Sequence, residues 1–436
     1  MRVGFCHPDL GLGGAERLVI DAAVELSCHG HDVTIYTAHH DPHRCFSETI
    51  DGTLKPIQVR GDWIPRNAFG RFHALFAYLR CLYVAVVMCV ESWGFGGDKG
   101  IGYDIVFVDQ VSAMLLVFWL LCRDSKRFFY GHFPDLLLSK PGGCLKKLYR
   151  MPIDWLEEAS MGFADVVSVN SNFTKEVFGR TFSMLNRKGI VPEVLYPAVR
   201  LPSASEIENS EAQWKAELPE DLSHFCSDEK YPVTFLSINR FERKKEIGLA
   251  LEAMSALTKL RANSGGSMSD CNIVIAGGYD SRLTENREHL QELRNKASHL
   301  GIAERVRFVT SFTDRQKLLL LAMCDAVVYT PPNEHFGIVP IEAMGFGRIV
   351  IACGSGGPKE SVVDGETGLL CAAKGESFAL AMKKVLDGDM IGNGALARRH
   401  VEQNFARTVF GNKLNDVFEN LTKSRSHEKE FEGEDG

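Results

Sequence analysis

The chain has 436 residues, too many for one ordinary hydrophobic core, and its length alone points to two or three domains. With 45% hydrophobic and 24% charged residues it has the make-up of a folded globular protein, without a disordered or collagen-like bias. A net charge of −7 argues against nucleic acid as the main partner, because phosphate-backbone binding needs a broad basic surface, although local basic spots still suit small anions.

The N-terminal "MRVGFCHPDL" has one positive charge and no apolar run long enough for a signal peptide, and it reads as a strand entering a turn. A glycine-rich turn with Gly11, Gly13 and Gly14 follows, then a helix over "GAERLVIDAAVELSCHG". Backbone N–H groups there can approach an anion at the positive end of the helix. Glu16 stands where the dinucleotide fingerprint needs its last glycine, and taken alone the stretch is better accounted for by an ordinary tight βα turn. "DVTIYT" is the next strand.

Residues 74–90, "ALFAYLRCLYVAVVMCV", carry a single charge, Arg80, and fall short of the roughly 18–20 apolar residues that span a bilayer. This helix, near 72–92, shows no polar stripe, which leaves two readings open: insertion at a membrane surface, or burial. "DIVFV" then reads as a buried parallel strand, 111–122 as a buried helix and "RFFYGH" as a strand. In "PDLLLSKPGGCLKKLYR", Leu136 to Leu138 lie beside Lys140, Lys146 and Lys147, which suits an anionic membrane surface. A core-facing leucine run before a solvated helix at 144–161 fits the same residues. "DVVSV" and "VPEVLYP" complete a domain over 1–200.

Residues 201–230 are acidic and show little periodicity, as expected of a linker or surface excursion. The strand–helix rhythm then restarts over 231–405: "VTFLSI", a helix at 245–260, "NIVIAGG", a helix at 283–299, "RVRFVT", "DAVVY" and "RIVIA". A helix over 406–422 and a charged, disordered tail at 423–436 complete the chain. Short apolar strands alternating with helices indicate α/β architecture, two Rossmann-like doubly wound sheets facing across a cleft. Ligands in such folds sit beyond the carboxyl ends of strands.

The motifs fall at those ends. In "INRFERKKEIGLALEAM" the apolar pattern starts a helix near 244–246, so Arg240, Arg243, Lys244 and Lys245 crowd the end where the macrodipole disfavours cations. A diphosphate held by Arg240 and Lys245 would relieve this, and so would plain solvation. In "TPPNEHFGIVPIEAM", Glu334 lies on the loop after a strand, and Pro340 at the first helical position puts Glu342 in the first turn. Glu342 then has a favourable dipole contact without any ligand, whereas Glu334 does not. A carboxylate accepts from paired sugar hydroxyls, and the N–H groups of Phe336, Gly337 and Ile338 suit phosphate oxygens.

The twelve cysteines show no CxxC pair or metal-ligand spacing, which suits a reducing compartment, and the sequons at Asn172 and Asn420 are expected unmodified. "DGD" at 387–389 matches a metal-binding DxD only as a coincidence between helices.

The E-x7-E at 334 and 342, Arg240 and Lys245 in "NRFERKK", "GGAE" and "GSGGPKE" together resemble the retaining glycosyltransferases of family 4, with the two-domain GT-B fold. Within it, "GDWIPR", "YGHFPDLLL", "NRFERKKEIGLALEA" and "YTPPNEHFGIVPIEAM" resemble the mannosyltransferases of dolichol-linked oligosaccharide assembly at the endoplasmic reticulum. The resemblance implies GDP-mannose as donor and mannosylated chitobiosyl-diphosphodolichol as acceptor, with an α-1,3 and then an α-1,6 transfer. It also implies attachment at the cytosolic face of that membrane, no bound metal, and other early enzymes of the pathway as partners.

Carried over residue by residue, Glu334 contacts the transferred mannose, Glu342 the ribose, and Arg240 and Lys245 the diphosphate. Gly13, Gly14 and the amides of Phe336, Gly337 and Ile338 close around the phosphates. His132 lies near the reacting carbon, Thr310 near the base, and Trp63 and Arg66 beside the acceptor. Retention without a carboxylate nucleophile implies front-face attack, the leaving phosphate taking the hydroxyl proton.

Overall fold

The computed structural model describes residues 1–68, 72–93, 102–138, 143–227, 233–263 and 271–434. The chain divides into two compact units, Met1–Ala198 with Arg407–Gly436, and Val199–Ala406.

The first unit carries a parallel sheet of seven strands: β1 (Arg2–Leu10), β2 (Asp32–His40), β3 (Gln58–Val59), β4 (Ile105–Asp109), β5 (Lys126–Gly131), β6 (Val166–Val169) and β7 (Glu193–Val194). Their order is β3-β2-β1-β4-β5-β6-β7, which reverses direction between β1 and β4. β4 is buried at every position, and its apolar run "IVFV" before Asp109 is that of a strand covered on both faces. The second unit repeats the plan with β8 (Val233–Ile238), β9 (Cys271–Gly277), β10 (Val306–Thr310), β11 (Ala326–Tyr329), β12 (Ile349–Cys353) and β13 (Gly368–Cys371). Its order is β10-β9-β8-β11-β12-β13, with the reversal between β8 and β11. The short strands β3 and β13 were not legible in the apolar pattern.

Residues 201–227, from the stretch expected to be a linker or surface excursion, are largely helical. They contain helices Ala204–Glu217 and Glu220–Cys226, the first opened by a capping box in which Ser203 and Glu206 satisfy each other's backbone N–H groups. Arg315 fastens the first helix through Glu217 at 2.6 Å. The last helix, Arg407–Glu434, belongs to the first unit: Arg407 pairs with Glu25 at 2.8 Å and Phe418 packs on Phe128. Its backbone stays helical to Glu434, so the tail expected to be disordered from 423 is helical over most of its length.

Helix His73–Ser92 is long and apolar enough to cross a membrane by length and composition, with a mean hydropathy of 1.8. One face (Cys81, Val84, Ala85, Met88, Cys89) lies in the core, while Leu75, Leu79, Val86 and Val90 are exposed. The helix is therefore buried on one face and apolar and exposed on the other. Helix Met114–Leu121 buries Leu115, Val117 and Phe118 but exposes Trp119 and Leu120. Leu136 and Leu137 are exposed rather than core-facing, and Leu148, Met151 and Trp155 form a further exposed row on helix Cys144–Met161. Of the basic residues expected beside them, Lys147 is exposed, while Lys140 and the side chain of Lys146 lie outside the described residues.

Glu157 on that helix accepts from the Asp135 N–H at 2.9 Å, while its Oε2 is buried without a partner. Burial, with Asp135 and Asp154 nearby, pushes its carboxyl up to about 7. A carboxyl raised on folding makes the native state bind the extra proton, so stability falls as pH rises from the unfolded value to about 7 and is then flat. Glu157→Gln is therefore expected to stabilise the protein at pH 8 by on the order of 2 kcal/mol and to change little at pH 5. Thermal unfolding at the two pH values checks this, and equal shifts at both would contradict it.

Candidate active site

In the second unit the two strands flanking the reversal deliver the acid and the bases. β8 runs into Asn239 and Arg240, and β11 into Thr330 and the loop that carries Glu334. A Cβ at Gly277 would lie 1.7 Å from the Asn239 carbonyl oxygen, so only glycine lets the ends of β8 and β9 approach this closely. The basic run forms a 3-10 turn, Arg243–Lys245, and the helix begins only at Gly248, later than the apolar pattern predicts. Thr330 Oγ1 donates to the Lys245 carbonyl at 2.9 Å and ties that turn to the end of β11.

Lys245 Nζ donates to Glu334 Oε2, with the two side chains only 13% and 19% exposed. Burial raises the Glu334 carboxyl, but Lys245 beside it, with His335 and Lys244, outweighs burial and holds it below the ordinary value. The loop is held from below by "GSGGPKE". The Gly357 N–H donates to the Glu334 carbonyl at 2.8 Å, and Ser355 Oγ accepts from the Asn333 N–H at 2.9 Å. A Cβ on Gly356 would sit 2.4 Å from that same carbonyl oxygen.

The other cations each have a carboxylate partner. Arg240 pairs with Glu242 at 3.0 Å and Lys244 with Glu242 at 3.1 Å, both remaining about two-thirds exposed, while Arg243 turns away to Glu288 and Glu292. The run is thus less short of anions than its sequence suggests, and Glu242, which sequence reading did not single out, is the carboxylate shared by Arg240 and Lys244.

Gly337 caps helix Ile338–Gly345 at φ 84°, with Phe336 buried beside it. Pro340 is the third helical residue and Glu342 the fifth, not the first turn as expected; Lys317 holds Glu342 at 2.7 Å in place of a dipole contact. Arg240, Lys245, Glu334, Phe336, Gly337, Ile338 and Glu342 therefore all arise from the carboxyl ends of β8 and β11. Thr310 instead lines a cavity of about 250 Å³ with Leu218, Asp221, Phe312 and Gln316. In "DGD", Asp387 pairs with Arg261 and Lys383, the ordinary contacts of a helix end.

In the first unit His132 is not a lone histidine. Its Nε2 lies 2.8 Å from Asp109 Oδ1, and Asp109 Oδ2 lies 2.8 Å from His7 Nδ1. Asp109 is wholly buried, His7 is 1% exposed, and His132 faces outward at 23%. Burial alone would raise Asp109, but His132 and His7 outweigh it and hold the carboxyl below its ordinary value. Burial lowers His7, yet the hydrogen bond and charge of Asp109, with Glu16, leave it raised. The sequence signal for His7 and Asp109 was a polar residue near the carboxyl end of a buried parallel strand.

The glycine turn sits beside this group. Gly13 caps helix Gly14–Cys28 in extended backbone, where a Cβ would press on the Glu16 carboxylate, whereas a Cβ on Gly14 would meet nothing within 4 Å. Trp63 is 72% exposed, and Arg66 lies 3.5 Å from Asp9.

Residues 12–192 match the model of glycosyltransferase family 4, and residues 225–405 that of glycosyl transferases group 1. The chain is 43% identical to the α-1,3/1,6-mannosyltransferase ALG2 of Homo sapiens over 94% of each chain. It is 40% identical to the protein of that name from Dictyostelium discoideum over 97% of this chain and 98% of that one. Among solved structures, sucrose-phosphate synthase from Thermosynechococcus elongatus superposes with a TM-score of 0.69 at 18% identity, covering 97% of this chain and 100% of that one. A glycosyltransferase from Rickettsia africae gives 0.66 at 19% identity, covering 97% and 98%.

Proposed function

This chain belongs to the α-1,3/1,6-mannosyltransferase family and is a glycosyltransferase of GT-B fold, and we propose that its donor is GDP-mannose and its acceptor a mannosylated chitobiosyl diphosphate carried on dolichol. Mannose goes first to an α-1,3 and then to an α-1,6 position, with retention at the anomeric carbon. The observation that carries this reading is sequence identity along nearly the whole length of curated α-1,3/1,6-mannosyltransferases.

In this reading the diphosphate of the donor lies on Arg240 and Lys245, Glu334 accepts from hydroxyls of the transferred mannose, and Glu342 from the ribose. The amides of Phe336, Gly337 and Ile338 bind the phosphates and Thr310 is near the base, while the Gly13 and Gly14 amides of the first unit are of a kind that binds phosphate oxygens. The pairing of Lys245 with Glu334 supports it, because phosphate oxygens draw the ammonium away as the carboxylate engages the sugar. As the anomeric C–O bond breaks, negative charge grows on the leaving phosphate and the two cations stabilise it. That phosphate takes the proton of the incoming hydroxyl, which attacks from the same face, and His132 lies beside the reacting carbon.

The enzyme works at the cytosolic face of the endoplasmic reticulum with other early enzymes of the pathway, and it needs no bound metal. The exposed apolar rows at 75–90 and 148–155 support membrane attachment.

The test incubates the protein with GDP-mannose and a short-lipid acceptor bearing one mannose on chitobiose, with and without EDTA, followed by linkage analysis. Products with one and then two added mannoses, α-1,3 and α-1,6, are expected in both. Absence of transfer would remove this donor and acceptor while leaving the family.

A further inference from the structure

Beyond the carboxyl ends of β1, β2 and β3, on the first unit, a group of polar residues surrounds one exposed indole. Asp9 and His39 are the last residues but one of β1 and β2, while residues 61–66 form the turn after β3. Arg80, only 5% exposed on helix His73–Ser92, reaches all three: its Nη1 lies 3.0 Å from Asp9, its Nη2 donates to the Ala38 carbonyl at 3.2 Å, and the same nitrogen lies 3.8 Å from Asp62. His39 Nδ1 holds Asp62 at 2.9 Å, and Arg66 lies 3.5 Å from Asp9.

The buried guanidinium therefore fixes Asp9 and lies close to Asp62, which His39 holds, and the two carboxylate side chains are still 40% and 57% exposed. A charge so deep in an otherwise apolar helix explains the one interruption of the 74–90 run: it is an anchor for polar groups at the surface.

The turn is built to hold Trp63 outward. Gly61 has φ 99°, and a Cβ there would come within 3.2 Å of the Tyr83 ring. Tyr83 meets the Trp63 indole edge-on at 5.3 Å and 89°, leaving that indole 72% exposed. An exposed aromatic face next to pre-positioned carboxylates is the chemistry of saccharide recognition: C–H faces of a sugar ring stack on the indole while vicinal hydroxyls donate to the carboxylates. Arg66, 59% exposed on the same rim, suits a phosphate. Tyr83 also falls on the same face of its helix as the exposed Leu75, Leu79, Val86 and Val90, so the sugar platform borders an apolar row.

We propose that Trp63, Asp62 and Asp9, held by Arg80, form a subsite for the saccharide of a lipid-linked acceptor. This deepens the function proposed above and rests on it. The substitutions to make are exposed ones, Trp63→Ala and Asp62→Asn, with Trp63→Phe retaining a stacking face.

In the short-lipid transfer assay each of the first two variants is expected to raise KM for the acceptor at least about tenfold, the loss of one stacking face or one charge-assisted hydrogen bond, with KM for GDP-mannose unchanged. Trp63→Phe recovers most of the loss. If the wild type transfers mannose and both variants keep its acceptor KM, the subsite is wrong and the proposed function stands. If the wild type transfers none, that reading of function fails, and calorimetric titration with free mannosyl-chitobiose decides the subsite. Binding lost in Trp63→Ala supports the subsite, while no binding to the wild type, or equal binding to both, overturns it.

Discussion

Lys245→Ala is expected to lower turnover by at least about 10²–10³-fold while the protein still folds. Its ammonium is the cation nearest Glu334, in a pocket where each side chain keeps less than a fifth of its surface exposed, so charge there is weakly screened. Removing one donor aimed at developing negative charge costs that much in comparable sites. The backbone has its own supports: Thr330 holds the Lys245 carbonyl, and Gly357 holds the Glu334 loop. The variant instead shows an inverted pH dependence. In the wild type the Glu334 carboxyl is depressed, so its stabilisation is present above the unfolded value and is lost as pH falls through the folded one. Without Lys245, burial dominates, the carboxyl rises, and the variant gains stability relative to wild type as pH falls. Turnover and thermal unfolding between pH 4 and pH 8 test both parts, and turnover within tenfold of wild type would refute the assigned role.

The second large effect is Asp109→Asn, with turnover falling by about 10²-fold or more. In the proposed function Asp109 is a positioning residue: it accepts from His132 on one oxygen and from His7 on the other, and it is wholly buried. An amide offers one acceptor and one donor in place of two acceptors, so one imidazole must change tautomer or turn, and loss of a fixed tautomer has cost still more elsewhere. His7 then loses the buried counter-charge that favoured its protonated form, which destabilises the fold below the raised His7 value. The pH signs are opposite for the two partners. Stability from the raised His7 is complete below its ordinary value and lost as pH rises through the folded one, whereas that from the depressed Asp109 is lost as pH falls through its folded value. Unfolding curves of the variant lose both slopes. Because this variant risks unfolding, His132→Ala at the exposed end provides the control: it should match the loss of turnover with little loss of stability, and near-normal kcat in both would sink the positioning role.

Reading from sequence succeeded where the signal is local. The apolar runs "IVFV" and "IVIA" gave away both parallel sheets, because strands covered on two faces leave few polar positions, here Asp109 and Asn272 near the strand ends. It went wrong where a short signal competed with composition. Residues 203–206 carry a capping box, but the acidity of 201–230 concealed the helix that it opens. The basic run resembled a helix start because apolar spacing cannot register the 3-10 turn and the left-handed Glu246 that precede Gly248. Glu342 was placed one turn early for the same reason: Pro is tolerated anywhere among the first helical residues, since their N–H groups have no partner within the helix.

Two α/β sheets, the helices between them and the motifs at strand ends were determined by the sequence itself, since periodicity and turn chemistry act over a few residues. Which strand ends meet was decided only in three dimensions. The order β3-β2-β1-β4-β5 brings His7, Asp109 and His132 together across more than a hundred residues, and the reversal between β8 and β11 sets Lys245 against Glu334. The choice of partner for each charge likewise came from packing: Arg243 and Lys245, two residues apart, point to different carboxylates because a tight turn sends them in different directions. Those pairings depend on distance through space, which no local pattern in the chain encodes.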